Sequence, residues 1–420
     1  MCSSDLTMPV ISAPPGFDEE SAPERYILLA KLGAGGMGET FRAWDRRDGR
    51  LVAIKMPKVE LAAMPGFLER FDREARMLQR MWHPNIVPIT DIGMLNGLPF
   101  FAMPFLPGGS LSARRLRDEQ GKPLPNQVGT LHYWLPAMSA ALDHLHAQGV
   151  VHRDLKPANI FFDVFWQAFL GDFGVAKVVD DGGAMEREET LTGTNMAMGT
   201  EFYMAPEMFA PKPRLSAGID QYALAVTVYE LLAGRRPFTG ESSHVIVEVT
   251  TQSPPPLTAF RSDLPASLVH AVHRGLAKRP EDRFSSCGEF CQTVLAHVRP
   301  LQSEPGIARL ACPNCAHIIR ISMGDAGRTG KCPKCRSRLV IAEDLSGLWT
   351  REEQEIVSAE LAGQPVAAAD GKGPRETAAN EEPFEFKPLS KSVPVKNPRV
   401  RRIPSHFVTI AIVALSLVGL

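Results

Sequence analysis

The chain holds 420 residues, of which 44% are hydrophobic, 22% charged and 7% aromatic, at a formal net charge of −1. That length exceeds one average domain and predicts two or three folded units joined by linkers. The composition excludes a wholly disordered chain, and the near-neutral charge removes any global case for nucleic acid.

Residues 1–25 are rich in Pro, Ser and Gly and lack hydrophobic periodicity, which predicts a disordered leader. No basic segment followed by an apolar run occurs there, so no secretory signal is visible and the next unit is expected in the cytoplasm. From Tyr26 to Val298, apolar runs alternate with turn signals and helical stripes, predicting one large α+β unit. Near its start, "KLGAGGMGETFRAWD" carries Gly33, Gly35 and Gly38 in a G-x-G-x-x-G pattern that is weak alone. It runs into "TFRAWD", a turn at Arg47-Asp48-Gly49 and the strand "LVAIK", so two strands are expected to flank a glycine flap over phosphates. In "GFLERFDREARMLQRM", Phe67, Phe71 and Leu78 share a helical stripe with Glu74. A carboxylate on that face calls for a cation, and strand-end Lys55 is the candidate; the alternative is a solvent-tilted Glu74 beside a surface lysine.

Further along, "VVHRDLKPANIFF" sets Asp154 between Arg153 and Lys156. Opposite charges pull a carboxylate's pKa down and make it a poor base, so the chemistry must tolerate one. Pro157 drives Lys156 into an extended conformation, and side chains two apart on such a segment share a side. Asp154 and Lys156 should therefore face one substrate. Asn159 adds a neutral oxygen ligand, and Asp172 in "LGDFGVAK" offers a carboxylate suited to Mg²⁺.

The glycine flap, "VAIK", "HRDLKPAN", "DFG" and "APE" (Ala205 to Glu207) together resemble the protein-kinase signature set, in order, over residues 26–298. The wording "LGAGGMGETFRAWD", "HPNIV" and "GVVHRDLKPANI" resembles the eukaryotic-like serine/threonine kinases of bacteria. The resemblance implies a two-lobed fold with a small β-rich lobe and a larger helical lobe. It implies ATP-dependent phosphoryl transfer to Ser/Thr hydroxyls of protein substrates and of the kinase itself, with a dimer as one arrangement for the latter. In that scheme Asp154 orients the substrate hydroxyl, Lys156 steadies the moving phosphoryl group, and Asn159 and Asp172 bind Mg²⁺ or Mn²⁺. Lys55, held by Glu74, meets the α/β-phosphates, while Gly33, Gly35, Gly38, Thr40, Ala53, Met103, Pro104 and Leu106 frame the nucleotide. A loose transition state needs its nucleophile positioned more than deprotonated, so a low-pKa Asp154 suffices. Lys156 favours Ser/Thr over Tyr acceptors.

By the same resemblance, Arg153 implies control through phosphorylation of the segment from Asp172 to Glu207, with Thr190, Thr192 and Thr194 as regulatory candidates and Thr200 at the position that contacts the catalytic aspartate. Thr40 replaces the usual valine over adenine, Pro104 follows the gatekeeper Met103, and Glu201 stands where proline is frequent. Asp220 and Arg283 match buried structural polar residues, with Arg283 pairing Glu207. The alternative from another class is a pseudokinase scaffold; the presence of Lys55, Glu74, Asp154, Asn159 and Asp172 argues for an enzyme.

After a Pro-marked break, "CPNC", sixteen residues and "CPKC" place Cys312, Cys315, Cys332 and Cys335 at zinc-ribbon spacing in a module over 309–342. Four thiolates close a structural Zn²⁺ site and leave no open position for catalysis. Arg309, Arg320, Arg328, Lys331, Lys334, Arg336 and Arg338 make the module basic, open to nucleic acid, anionic lipid or the acidic linker, or forming only a solvated face. Cys287 and Cys291, four apart on a helix, are expected in the core. No internal repeat is evident. Residues 343–402 form an acidic and then basic linker, in which Thr350 and Glu353 sit at capping-box spacing for one short helix. The apolar end, 405–420, is shorter than the roughly 20 residues that cross a bilayer, yet the basic block before it predicts an incomplete single-pass membrane helix with the kinase on the cytoplasmic side; an ordinary apolar terminus is the alternative.

Overall fold

Short runs rich in β-branched and aromatic residues, broken by Gly-containing turns, build the first sheet. The strands are β1 (Tyr26–Ala34), β2 (Gly38–Asp45), β3 (Arg50–Pro57), β4 (Asp91–Leu95) and β5 (Leu98–Pro104). They pair antiparallel in the order β1-β2-β3-β5-β4. Helix α1 (Phe67–Gln79) lies on this sheet and buries Phe67, Phe71 and Leu78 against Phe101, as the stripe predicts. This computed structural model describes residues 25–35, 38–172, 200–210, 213, 215–240, 242–301, 307–342 and 345–361. Residues 1–24 of the leader, the segment with Thr190, Thr192 and Thr194, residues 362–402, the apolar end 405–420 and the side chain of Glu74 lie outside the described residues.

The larger lobe is helical: α2 (Leu135–Ala147), α3 (Ala217–Ala233), α4 (Ser242–Thr251), α5 (Ala266–Gly275) and α6 (Cys287–Leu295). Helix α3 is apolar on nearly all sides and runs through the core, the pattern of a helix with no solvent face. It stops at Gly234, whose left-handed backbone (φ 74°) suits a residue without Cβ. Its own Tyr222 and Tyr229 share one core with Trp134, Leu142 and Phe290. Cys287 and Cys291 are buried there as expected. Burial pushes the Cys287 thiol well up, and nearby Asp143, which accepts the Cys287 and Gly288 N–H groups at the start of α6, pushes it further. A short hairpin, β6 (Ile160–Phe162) and β7 (Ala168–Leu170), lies at the upper edge of the lobe and carries Asn159 and Asp172 near its two open ends.

The cysteine module comprises a hairpin of β8 (Ile307–Ala311) and β9 (Ile318–Ser322) and a sheet of β10 (Thr329–Lys331), β11 (Arg338–Ile341) and β12 (Leu348–Thr350). Here the expected linker needs correction over residues 345–361. Leu345 and Leu348 enter the module's core, β12 pairs with β11, and α7 (Arg351–Leu361) packs through Val357 with Trp349 against Leu51 of β3. The capping box does form: Glu353 Oε2 accepts the Thr350 N–H at 2.8 Å, and Thr350 Oγ1 accepts that of Glu353 at 3.2 Å. Averaged composition hid a few apolar anchors among the acids. The two knuckles also repeat one another. In each, the first cysteine's N–H bonds the carbonyl five residues on (His317, Ser337) and its own carbonyl accepts the N–H four on, from left-handed Ala316 and Arg336.

Candidate active site

The flap hairpin brings Gly33 opposite Thr40 and Ala34 opposite Glu39. A Cβ on Gly33 or Gly35 would meet nothing within 4 Å, whereas one on Gly38 would sit 2.2 Å from the Met56 carbonyl oxygen. The third glycine thus lets β2 approach β3, while the first two put no side chain over the flap, which leaves its backbone open to close approach by an anionic ligand. Thr40 lies opposite Lys55, and Ala53 opposite Met103, so the strand faces meet the segment Met103–Leu106 leading to the larger lobe.

Lys55 and Asp172 form an ion pair across the cleft, joining residues 117 apart in sequence. Asp172 is left-handed (φ 56°), as is Arg153 (φ 64°), conformations a non-glycine residue keeps only when its surroundings hold it. For Arg153 the holder is Asp220. Its Oδ1 accepts the Arg153 N–H at 2.8 Å, and its Oδ2 accepts the His152 N–H at 2.8 Å and His146 Nε2 at 2.7 Å. Burial alone would raise the Asp220 pKa, but the hydrogen bonds it accepts from His146 Nε2 and the His152 N–H help outweigh it and hold the group below its ordinary value. His152 also spans the site, with Nε2 to the Gly171 carbonyl at 3.2 Å and Nδ1 accepting the Asp154 N–H at 3.3 Å, which requires the neutral Nε2–H tautomer.

Asp154 receives two side-chain donors at its Oδ2, Lys156 Nζ and Asn159 Nδ2, each at 3.0 Å. Asn159 Nδ2 also donates to the Asp154 carbonyl at 2.8 Å. Lys156 Nζ reaches Thr200 Oγ1 at 3.0 Å, so Thr200, 4% exposed, joins Asp154 through the lysine. Glu201, the departure from the usual proline, is buried in the turn that follows. Arg283 forks onto Glu207 at 2.7 and 2.8 Å and donates to the Ala277 and Gly218 carbonyls, tying "APE" to the core.

Converging glycine flap, Lys55–Asp172 pair and Asp154–Lys156–Asn159 cluster are the arrangement the sequence motifs imply, and residues 26–298 match the protein kinase domain family. The chain belongs to that family. The kinase unit is 35% identical over 265 residues to the serine/threonine-protein kinase PknE of Mycobacterium tuberculosis, covering 63% of this chain and 44% of that protein. Identity to PknH of the same organism is 37% over 266 residues, covering 63% and 40%. The chain thus spans less than half of these relatives. Among solved structures, the M. tuberculosis PknI kinase domain is 31% identical, with 64% of this chain and 94% of that one covered at a TM-score of 0.48.

In the cysteine module all four Sγ atoms lie within 4.8 Å of one another, with Cys312–Cys335 at 3.7 Å and Cys315–Cys332 at 3.6 Å. Disulfides would need about 2.05 Å. Tetrahedral zinc with Zn–S near 2.3 Å sets its sulfurs about 3.8 Å apart, so the donor set fits that ion. Of the basic residues, Arg309 stacks on Trp166 of the larger lobe at 4.5 Å and Arg328 pairs with Asp325 at 2.8 Å. Among the described residues no helix is long and apolar enough to cross a membrane. Sequence reasoning missed the His146 and His152 contacts to Asp220 and the Arg42–Glu353 ion pair between β2 and α7. His152 lay inside the "HRDLKPAN" motif with no sign of its partner, and neither His146 nor the ion pair had any local signal.

Proposed function

We propose that the chain is a serine/threonine protein kinase that transfers the γ-phosphoryl group of ATP to protein hydroxyls and to its own activation segment. Family membership brings ATP with Mg²⁺ or Mn²⁺, and similarity to serine/threonine-protein kinases supports Ser/Thr acceptors. The observation that carries the reading is the meeting of Lys55 with Asp172 above the Asp154–Lys156–Asn159 cluster. Asp172 and Asn159 offer hard oxygen donors for the metal ion, which supplies charge neutralisation at the phosphates. Asp154 accepts from and orients the substrate hydroxyl. Lys156, bridging Asp154 and Thr200, places a cation beside the transferring group, and Lys55 faces the α/β-phosphates. Glu74 is assigned to steadying Lys55.

Four thiolates at this spacing support a structural Zn²⁺ site in the module. The basic block at 387–402 followed by apolar residues supports a membrane-bound kinase whose catalytic unit stays cytoplasmic. Retention in the pellet after a carbonate wash is the expected result for that placement, and release is the contrary one. For the activity, protein incubated with labelled ATP and a mixed Ser/Thr/Tyr substrate should yield phosphoserine and phosphothreonine on acid hydrolysis; phosphotyrosine alone, or no label under any condition, counts against the reading.

A further inference from the structure

Residues 307–342 and 345–361 touch the kinase unit on both sides of its hinge. On the smaller lobe, Arg42 of β2, 0% exposed, donates from Nη1 to both carboxylate oxygens of Glu353 of α7 at 2.7 and 2.8 Å and from Nη2 to the Leu348 carbonyl at 2.6 Å. Its carbon lies 5.0 Å from the Phe105 ring centre and 5.2 Å from that of Trp349, whose ring meets Trp44 edge-on at 5.4 Å. At the hinge, the Ala311 N–H donates to the Pro107 carbonyl at 2.6 Å, and the position of a Gly109 Cβ is 3.1 Å from Ala311 and Ile318 side chains. On the larger lobe, Val164 packs on the module's core and Trp166 lies under Arg309.

These anchor points are the far ends of elements that bear nucleotide-facing groups. Thr40 and Arg42 are two apart on a regular strand and share a face, with Lys55 and Ala53 opposite them. Val164 and Trp166 occupy the turn of the β6–β7 hairpin, whose other ends lead to Asn159 and Asp172. A body fixed to both lobes resists rotation about the hinge, so its docking and the angle between the lobes are one equilibrium.

We propose that residues 307–342 with 345–361 act as an intramolecular strap that sets the lobe angle, with Arg42 and Glu353 as positioning residues for the nucleotide; this rests on the kinase reading above. Binding at the cleft and docking of the strap are then coupled, and coupling is reciprocal. A nucleotide that closes the lobes must tighten the strap, and loosening the strap must weaken the nucleotide.

The test uses the full chain and the non-hydrolysable analogue AMP-PNP with Mg²⁺. Hydrogen exchange of the wild type should slow at 33–40 and 103–106, and also at 348–361, which the nucleotide does not touch. Protection at the flap and hinge with unchanged exchange at 348–361 overturns the strap while leaving the kinase reading standing; no protection anywhere overturns both. Glu353→Gln, and the double variant Arg42→Met/Glu353→Leu that leaves no orphaned charge, should each raise the AMP-PNP dissociation constant about tenfold, within the range of coupling seen between linked sites. A purely structural role would lower the melting temperature and leave the dissociation constant of the folded fraction within about twofold. That result in both variants also overturns the proposal.

Discussion

Replacing Asp220 by Asn keeps the size of the side chain and removes its charge, and the structure shows what that does. Three donors converge on the carboxylate: the His152 and Arg153 N–H groups and His146 Nε2. An amide has one acceptor oxygen, so whichever way it turns, its NH₂ group faces a backbone N–H. One buried donor left unsatisfied costs about 1–3 kcal/mol, and the surviving bonds lose their charge assistance. A loss of about 2–4 kcal/mol follows, which lowers the melting midpoint by roughly 5–15 °C for a domain of this size. The damage reaches function because the Arg153 backbone is held left-handed by the Oδ1 contact, and its release shifts Asp154. Calorimetry and a phosphorylation rate measured well below the variant's melting point separate the two effects. An Asp220→Asn protein with wild-type melting and wild-type rate would refute the reasoning. The sign with pH is fixed too: the folded pKa of Asp220 is depressed, so its stabilisation is present above the unfolded carboxylate value and fades as pH falls through and below about 4.

Glu207→Ala strands the fully buried Arg283 without a counter-ion and should cost about 3–5 kcal/mol in urea unfolding, whereas Arg283→Met/Glu207→Leu should recover most of it. Metal analysis should find one zinc per chain, lost in Cys332→Ser; a metal-free protein whose four thiols react freely in the native state would contradict the site. After incubation with ATP, mass spectrometry should place phosphate within 190–194, and an unmodified segment would remove the activation-loop expectation.

The catalytic half of the molecule was legible because phosphoryl transfer demands particular residue types at particular places: glycines that let backbone approach phosphate, and carboxylates at strand ends. Lys55 and Asp172 are 117 positions apart, yet each carried a local motif. Glu207 and Arg283 were paired through the resemblance alone. Arg42 and Glu353, 311 positions apart, carried no such mark, since a buried arginine on a strand reads as a surface residue until its partner is known. Glu353 was visible as a capping-box acid, a role it fills, but its second partner was not. Residues 345–361 were averaged into an acidic stretch because Leu348, Trp349 and Val357 are too few to raise its mean hydropathy. The paired knuckles escaped notice as a repeat because each is only six residues long.

The most direct measurement is transfer of label from γ-³²P-ATP in magnesium buffer by the purified protein, wild type against Asp172→Ala. The account predicts labelled wild type and a signal lower by at least about a hundredfold in the variant, since a removed transition-state charge contact of this kind is worth about 10²–10³ in rate. Equal labelling of the two proteins would contradict the assignment of Asp172 to the reacting centre and, with it, the converging cleft.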